Sequence, residues 1–152
     1  MGEERSSAGP LWGVFLRLYF ATAMFSSPEQ TAIESLLYAY GDALNAASVP
    51  QVLALYTPGG VFMPTGAPSA SGPEQVRQSY EGIFQNIRLH IQLHILEIVV
   101  SGDYAFASTT SAGTTIIHAT GQTVPEENRE LFVLQRLEGQ WKIARYMFNK
   151  MA

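Results

Sequence analysis

Glu130 and Arg145 are the two charged side chains whose spacing in this sequence could support chemistry. They lie in two runs of alternating residues, 128–137 and 141–149, which are separated by a Glu-Gly dipeptide. If that dipeptide forms a two-residue turn, the runs pair as a β-hairpin and Glu130 becomes a diagonal neighbour of Arg145. Diagonal neighbours lie about 7–8 Å apart at the backbone, so long side chains of opposite charge can meet.

The predicted pair has three interpretations. As a working pair, a carboxylate held at low pKa by the guanidinium could orient a substrate or position a water. As a structural pair, the two groups would hold the two strands of the hairpin together. They would then add more to conformational specificity than to stability. In the third interpretation Arg145 acts alone and binds an anionic group of a ligand, since its fork of donors suits a carboxylate.

Both faces of the predicted hairpin are apolar. The register places one set of side chains beside the charged pair and a second set on the opposite face. The first set is Trp141, Ile143, Phe132, Met147 and Asn149, and the second is Leu131, Val133, Tyr146 and Phe148. Helices can cover only one of the two faces, and an apolar patch of this size seldom stays in water. We therefore expect a homodimer that forms through the outer face of the sheet.

Tyr40 is the third candidate for chemistry. Ser27, Pro28 and Gln30 form a helix start with a capping box, and apolar residues recur after it at helical spacing to about Ala47. Tyr40 lies on this apolar stripe. Its hydroxyl is either satisfied within the core or directed at an oxygen of a ligand.

The histidines do not predict a metal site. His90 and His94 lie in a segment that alternates like a strand, where four residues span about 13 Å, too far for both to bind one ion. His118 follows on the next predicted strand and could approach one of them only in a particular register. We expect His90 and His94 on a partly solvated or interface face.

Other catalytic and cofactor motifs are not found in the sequence. No serine lies in a nucleophile-elbow context, and Asp42 and Asp103 fit a helix surface and a turn, so no catalytic triad is indicated. Gly59 and Gly60 form a turn and not a phosphate-binding loop. We therefore expect no cofactor.

The elements that must position these residues change from helices to strands along the chain. Helices are predicted from 28 to about 47, from 50 to about 56, and after a second capping box at Ser71 and Glu74, with a short strand at 61–63 between the last two. The period then switches to two, which predicts strands at 89–101, 104–119, 128–137 and 141–149. Helices followed by long antiparallel strands predict an α+β domain whose helices cover one face of a sheet.

Composition excludes several classes of partner. The net charge is −4, and the nine Lys and Arg residues are scattered, whereas a nucleic-acid groove or an anionic membrane surface requires a basic stripe. The chain has no cysteine, which excludes disulfides, thiol nucleophiles and thiolate metal sites.

Residues 1–27 differ from the rest and are predicted to be an N-terminal extension of a domain at 28–150. Their apolar run is too short and interrupted to span a bilayer, which needs about 20 apolar residues. A small-x-small site at 21–23 resembles a signal-peptide cleavage site, but Glu3 and Glu4 outweigh Arg5 where a signal should be basic. We expect a cytoplasmic protein, or an exported one if residues 1–23 act as a signal.

Four stretches of the chain carry a family resemblance: AIESLLYAYGDALNAAS, VLALYTPGGVFMP, GPEQVRQSY and RELFVLQRLEGQWKIARYMFN. Over roughly 28–149 the sequence resembles the SnoaL-like proteins of the nuclear transport factor two-like superfamily. Their relatives include ketosteroid isomerase, scytalone dehydratase and limonene epoxide hydrolase. The resemblance implies a cone-shaped α+β fold in which three N-terminal helices pack on a curved, mainly antiparallel sheet and enclose a deep pocket.

The resemblance also implies where the site lies. In this family the Trp-x-Ile face of the last strand points into the pocket, which would place Arg145 on the pocket wall with Glu130 and Tyr40. The expected lining is Tyr56, Phe62, Met63, Tyr80, Phe84, Phe132, Met147 and Asn149.

The same resemblance shows two departures from the family pattern. Relatives commonly carry His at the positions matching Arg145 and Met147, and the general base of ketosteroid isomerase matches Pro64 or Met63, which cannot take a proton. Ketosteroid isomerase works by tuning the pKa values of its carboxyl groups; its oxyanion-hole tyrosine matches Tyr40, and its protonated aspartate matches Glu130. Isomerisation by the steroid route is therefore not expected.

Three functions remain open from the sequence. The first is a pocket protein that binds a small, largely apolar molecule with an oxygen or acid group. The second is an isomerase, cyclase or dehydratase that uses Glu130, Arg145 and Tyr40, and the third is a non-catalytic dimerisation or assembly module. An open cavity that reaches these three residues favours a ligand, whereas a cavity plugged by side chains favours a scaffold. The side chains expected to plug it are Phe62, Met63, Phe132 and Met147.

Overall fold

The computed structural model describes residues 27–151 as three helices and a six-stranded sheet, which confirms the predicted α+β class. The predicted N-terminal extension, apart from Ser27, lies outside these residues. The helices are α1 Pro28–Asn45, α2 Val49–Leu53 and α3 Gly72–Asn86. The strands are β1 Tyr56–Met63, β2 Ala70–Ser71, β3 Ile87–Ser101, β4 Tyr104–Ile117, β5 Thr123–Leu137 and β6 Gln140–Lys150.

The sheet has the strand order β2-β1-β6-β5-β4-β3 and is curved. All neighbouring strands are antiparallel except β1 and β6, which run parallel. α1 packs mainly on β3, and α3 packs mainly on β1, so the helices cover the concave face of the sheet. The fully buried side chains between the two layers include Ile33, Leu37, Tyr40 and Tyr80 from the helices.

The helix starts follow the sequence in one case and depart from it in the other. At α1 the predicted capping box forms, because Ser27 Oγ accepts from Gln30 N and Gln30 Oε1 accepts from Ser27 N. At α3 the predicted box is wrong. Ser71 belongs to β2 and its side chain caps nothing, while its backbone N–H donates to Gln75 Oε1 at 2.9 Å.

A β-bulge in β6 overturns the predicted register of the last hairpin. Pairing begins as predicted and reaches Leu134 opposite Ile143, but Ala144 has no partner on β5 and Arg145 lies opposite Val133. Glu130 therefore faces Phe148 and is no neighbour of Arg145. Because side chains alternate along a strand, one extra residue exchanges the two faces for everything that follows it.

β3 and β4 also carry features that shape the concave face. A second bulge at Leu96 in β3 keeps Ile95 and Ile98 on the helix side of the sheet. Gly113 in β4 approaches β3 so closely that a Cβ there would collide with the His90 carbonyl oxygen. A side chain at that position is therefore excluded.

Candidate functional site

A cavity of about 450 Å³ lies between the helices and the concave face of the sheet. Its volume falls in the range of pockets that hold small molecules. Most of the lining is apolar and comes from α1, α3, β1, β3 and β6. Representative side chains are Leu44, Phe62, Ile83, Leu89, Leu93 and Phe148.

One wall of this cavity is polar, and all of its residues except Lys150 are buried. It is formed by the inward residues of three neighbouring strands, Ser111 on β4, Glu126, Asn128 and Glu130 on β5, and Lys150 on β6. The two glutamates are each 5% exposed. We call this set the polar wall, and its two carboxyl groups differ sharply in their surroundings.

Glu126 is fully partnered by donors from three strands. Its oxygens accept from Thr115 Oγ1 at 2.9 Å, from Asn128 Nδ2 at 3.1 Å and from Lys150 Nζ at 3.2 Å. Asn128 Nδ2 also donates to Ser111 Oγ at 3.3 Å. Because Glu126 offers only acceptors, the Nδ2 group of the Asn128 amide must point towards it. The Oδ1 atom of Asn128 therefore points away from Glu126.

Glu130 has no such partners. Within residues 27–151, four buried polar atoms of this region form no hydrogen bond: Glu130 Oε1, Glu130 Oε2, Asn128 Oδ1 and Thr109 Oγ1. Burial raises the pKa of Glu130 from 4.5 to about 7. The nearby Ser111 and Thr109 hydroxyls lower this pKa in part, although neither makes a well-aligned hydrogen bond to the carboxyl. A buried polar group without a partner is rare and marks a place where a ligand or water can bind.

A chain of tyrosine hydroxyls lies on the helix side of the cavity. Tyr80 OH is 2.6 Å from Tyr40 OH and 2.7 Å from Tyr56 OH. Burial raises the pKa of Tyr40 and Tyr80 well above 10, and that of Tyr56 also rises, so all three phenols stay protonated at neutral pH. Three hydroxyls joined by two hydrogen bonds leave one phenol proton without an acceptor in the chain, and Tyr40 and Tyr80 both line the cavity.

Tyr146 completes the wall between this chain and Glu130. Its pKa is raised well above 10 by burial and then by the nearby Glu130 carboxylate. Phe132 stacks on Tyr146 with ring centroids 4.3 Å apart, and Phe62 stacks on Tyr80 at 4.5 Å. The aromatic rings therefore hold the polar atoms of this end of the cavity in fixed positions.

Some predicted site residues meet in this cavity and others do not. Tyr40, Glu130, Phe62 and Tyr80 line it. Three more lie behind the lining: Tyr56 in the hydroxyl chain, Phe132 against Tyr146, and Phe84 against Tyr80. Met63 does not line the cavity and pairs with Met147 on the neighbouring strand.

Arg145, Met147 and Asn149 do not line this cavity, contrary to the expected lining, because the bulge at Ala144 turns all three to the other face of the sheet. The Arg145 guanidinium donates to the Ala144 carbonyl at 2.6 Å and to the Gly59 carbonyl at 3.3 Å. It forms no pair with Glu130 and does not line the cavity. Its contacts tie the bulge to β1, which is a structural role that the sequence did not predict.

The lining residues that sequence reasoning missed include Glu126, Asn128, Tyr146, Phe148 and Lys150. Glu126 lies outside the strand predicted at 128–137, whereas β5 begins at Thr123. The period-two pattern shared by Glu126, Asn128 and Glu130 could have placed them on one face. No comparable signal exists for Tyr146 and Phe148.

The outer face of the sheet is partly apolar and exposed. Val99, Phe106, Leu131 and Met147 are each 40–42% exposed. The register places Val99 beside Phe106 and Leu131 beside Met147, so these side chains span β3 to β6. His90 and His94 are exposed on the same face.

Residues 27–151 contain neither a metal-ligand cluster nor a membrane-spanning helix. No group of three potential metal ligands is close enough to bind an ion in that part of the chain. None of its helices has the length and apolarity needed to cross a bilayer.

Comparison with known proteins identifies a family. The profile described as a SnoaL-like domain matches residues 33–149. No functionally curated protein matches the chain. A crystal structure of a ketosteroid isomerase-like protein from Erwinia carotovora atroseptica SCRI1043 is 35% identical, with a TM-score of 0.81, and the match covers 84% of this chain and 99% of that one.

Two more distant structures share the fold. A protein provisionally assigned as an NTF2-like dehydratase, from Streptomyces avermitilis, is 20% identical with a TM-score of 0.68, over 83% of this chain and 99% of that one. A protein provisionally assigned as a calcium/calmodulin-dependent protein kinase II association domain, from Xanthomonas campestris, is 19% identical with a TM-score of 0.66. That match covers 84% of this chain and 93% of the other. The fold thus occurs in proteins named for catalysis and for assembly.

Proposed function

From the premise that this chain belongs to the family of SnoaL-like domains, we propose that its cavity binds a small, largely apolar molecule bearing an oxygen or acid group. One observation carries the proposal. Both carboxyl oxygens of Glu130 are buried at the cavity without a partner. A fold that leaves such a group unpaired loses stability, which a bound ligand restores.

We further propose that Glu130 transfers a proton in an isomerase, cyclase or dehydratase type of reaction. A carboxyl with a pKa of about 7 can both take and give a proton at neutral pH. A phenol proton donated by Tyr40, which lines the cavity, would stabilise developing negative charge on a substrate oxygen. Pro64 lines the cavity where the steroid isomerase has its base, so Glu130 would have to act as both acid and base.

The homodimer remains part of the proposal. The exposed apolar side chains of the outer face, Val99, Phe106, Leu131 and Met147, would be covered by a second copy of the same face. Arg145, which the sequence placed in the pocket, would lie at the edge of that interface. A dimer leaves the cavity untouched, because the cavity lies on the other side of the sheet.

The assembly alternative has weaker support at the cavity. Of the four side chains expected to plug it, only Phe62 lines it, while Phe132 packs behind Tyr146. Met63 and Met147 lie elsewhere on the sheet. Space for a ligand therefore remains.

Native mass spectrometry of the purified full chain tests this proposal. We expect a dimer that carries a small apolar molecule, which denaturing extraction then identifies. The same masses report whether residues 1–23 are retained, as the expected cytoplasmic location requires. An empty protein that shows no thermal shift with a panel of cyclic ketones, alcohols, epoxides and acids would contradict the proposal.

The matched variants for this experiment are Glu130→Gln and Glu127→Gln. Both lie on β5, but Glu127 is exposed on the opposite face. If the extracted compound is turned over, we expect Glu130→Gln to slow the reaction by about 100-fold or more. Glu127→Gln should retain the rate of the natural protein.

A further inference from the structure

We propose that the cavity selects ligands whose polar edge donates hydrogen bonds, so that an alcohol or amine binds in preference to the matching aldehyde or carboxylate. This inference rests on the proposed function, since it assumes that the cavity is a ligand site. It narrows the polar group expected on the ligand, an oxygen or acid group, to one that donates hydrogen bonds to the protein.

Three of the four buried atoms without a partner in residues 27–151 are acceptors on the polar wall. Asn128 Oδ1 only accepts, and the two Glu130 oxygens only accept when that carboxyl is ionised. The fourth atom, Thr109 Oγ1, belongs to a residue beside the wall and can accept or donate. Thr109 lies directly opposite Glu130 in the β4–β5 register. A ligand that fills the cavity must therefore bring N–H or O–H groups to this wall.

The nitrogen donors of the wall are directed at other wall residues, whereas the hydroxyls of Ser111 and of the neighbouring Thr109 donate to none of them. Thr115, Asn128 and Lys150 all donate to Glu126, and the second bond of the Asn128 amide goes to Ser111. The positive charge of Lys150 is matched by the Glu126 carboxylate. A ligand carboxylate placed here would face oxygen acceptors without a free cation beside it.

The spacing of the acceptors suggests two donors on the ligand. Asn128 and Glu130 point to the same face two residues apart, so their backbones are separated by about 7 Å. A diol or an amino alcohol could bond both positions at once. A ligand with one donor would leave one position unsatisfied.

Protonation of Glu130 gives the inference a pH signature. The titratable groups that face this carboxyl are phenols, from Tyr40 on α1, Tyr80 on α3 and Tyr146 on β6, and these stay protonated at neutral pH. The inward residues of β3 are aliphatic, and the Glu126–Lys150 pair lies further along the wall. Binding of an amine should therefore strengthen as pH rises through about 7, where Glu130 ionises.

Calorimetric titration of the full chain with matched probes tests this selectivity. The probes are 1-naphthylmethylamine, 1-naphthalenemethanol, 1-naphthaldehyde and 1-naphthoate, repeated with the corresponding adamantane compounds so that skeleton and polar group are separated. At pH 7.5 we expect the amine and the alcohol to bind at least tenfold more tightly than the aldehyde and the carboxylate.

Variants make the test specific to the carboxyl. Glu130→Gln replaces one acceptor by a donor, so amine affinity should fall at least fivefold while aldehyde affinity rises. Glu130→Asp keeps the carboxyl and should keep the order of preference, which separates hydrogen bonding from loss of fold. Glu127→Gln on the opposite face should match the natural protein.

The outcomes separate the inference from the proposed function. Aldehyde or carboxylate binding as tightly as the alcohol, with no response to Glu130→Gln, would overturn the inference and leave a ligand-binding cavity. If no probe of either skeleton binds and nothing co-purifies, both proposals fail together.

Discussion

Glu126 and Glu130 lie four residues apart on the same face of β5 and are equally buried, yet one is fully bonded and the other has no partner among residues 27–151. Their neighbours explain the difference. Asn128 on the same strand and Lys150 on β6 donate hydrogen bonds to Glu126, whereas Glu130 lies opposite Phe148. Equal burial therefore leaves the two carboxyl groups with different hydrogen bonding. The supply of donors decides which buried acid is structural and which is free to act.

The largest expected effect is the pH dependence that Glu130 gives to stability. An acid whose pKa rises from 4.5 to about 7 on folding binds its proton more tightly in the native state, so stability falls as pH rises between these values. The rise corresponds to about 3 kcal/mol, which water in the open cavity reduces to about 2 kcal/mol. Urea unfolding of the natural protein and Glu130→Gln at pH 5 and pH 8 measures it.

The outcome is read as a difference between the two proteins, because other groups titrate in both. We expect Glu130→Gln to gain about 2 kcal/mol relative to the natural protein on going from pH 5 to pH 8. If the stabilities of the two proteins change in parallel with pH, Glu130 has a hydrogen-bond partner in solution. Glu130 and Glu126 would then not differ in their hydrogen bonding.

The second effect is a loss of stability at high pH, and the substitution is again of Glu by Gln. Glu126→Gln should destabilise the protein by about 1.5 kcal/mol at pH 8, because its amide would turn an N–H towards donors from Thr115 or Asn128 and would lose the attraction of Lys150. Thermal or urea unfolding reports the change. A neutral or stabilising result would show that the bonds to Glu126 contribute little.

The smallest effect is expected at Lys150. Its side chain is half exposed, so Lys150→Met should cost less than about 1 kcal/mol despite the ion pair with Glu126. High salt should shift the unfolding midpoint of the natural protein slightly and that of the variant less. A loss of stability well above this value would mean that Lys150 is needed to hold the polar wall in place.

Sequence patterns predicted the helices, the switch to strands and the fold, because the apolar period is a direct consequence of which face is buried. The family resemblance, and not the apolar period, implied that Tyr40 and Glu130 lie at a pocket, and both line the cavity. The capping residues at Ser27 acted as predicted, whereas those at Ser71 were overridden by the pairing of β2 with β1. At Ser71, the pairing of neighbouring strands therefore outweighed the local preference of the sequence for a helix cap.

The two bulges show why the remaining site residues were not predictable. In β3 the alternation of Ile and Leu is interrupted at Leu96-Glu97, so the sequence itself indicates the shift in strand register. In β6 apolar residues occupy both faces, and the pattern reads equally well with or without an extra residue at Ala144. The position of Arg145 depended on that single residue.

The place of β6 in the sheet has a consequence for how the cavity comes into being. β6 is the last strand in chain order, but it lies between β1 and β5 and joins the two ends of the domain sequence. During synthesis the earlier strands emerge from the ribosome with a gap where Tyr146, Phe148 and Lys150 will later stand. The β1–β6 contacts span most of the domain, which slows their formation. The cavity is therefore incomplete in every nascent chain that ends before residue 140, and its wall closes only after β6 has been inserted.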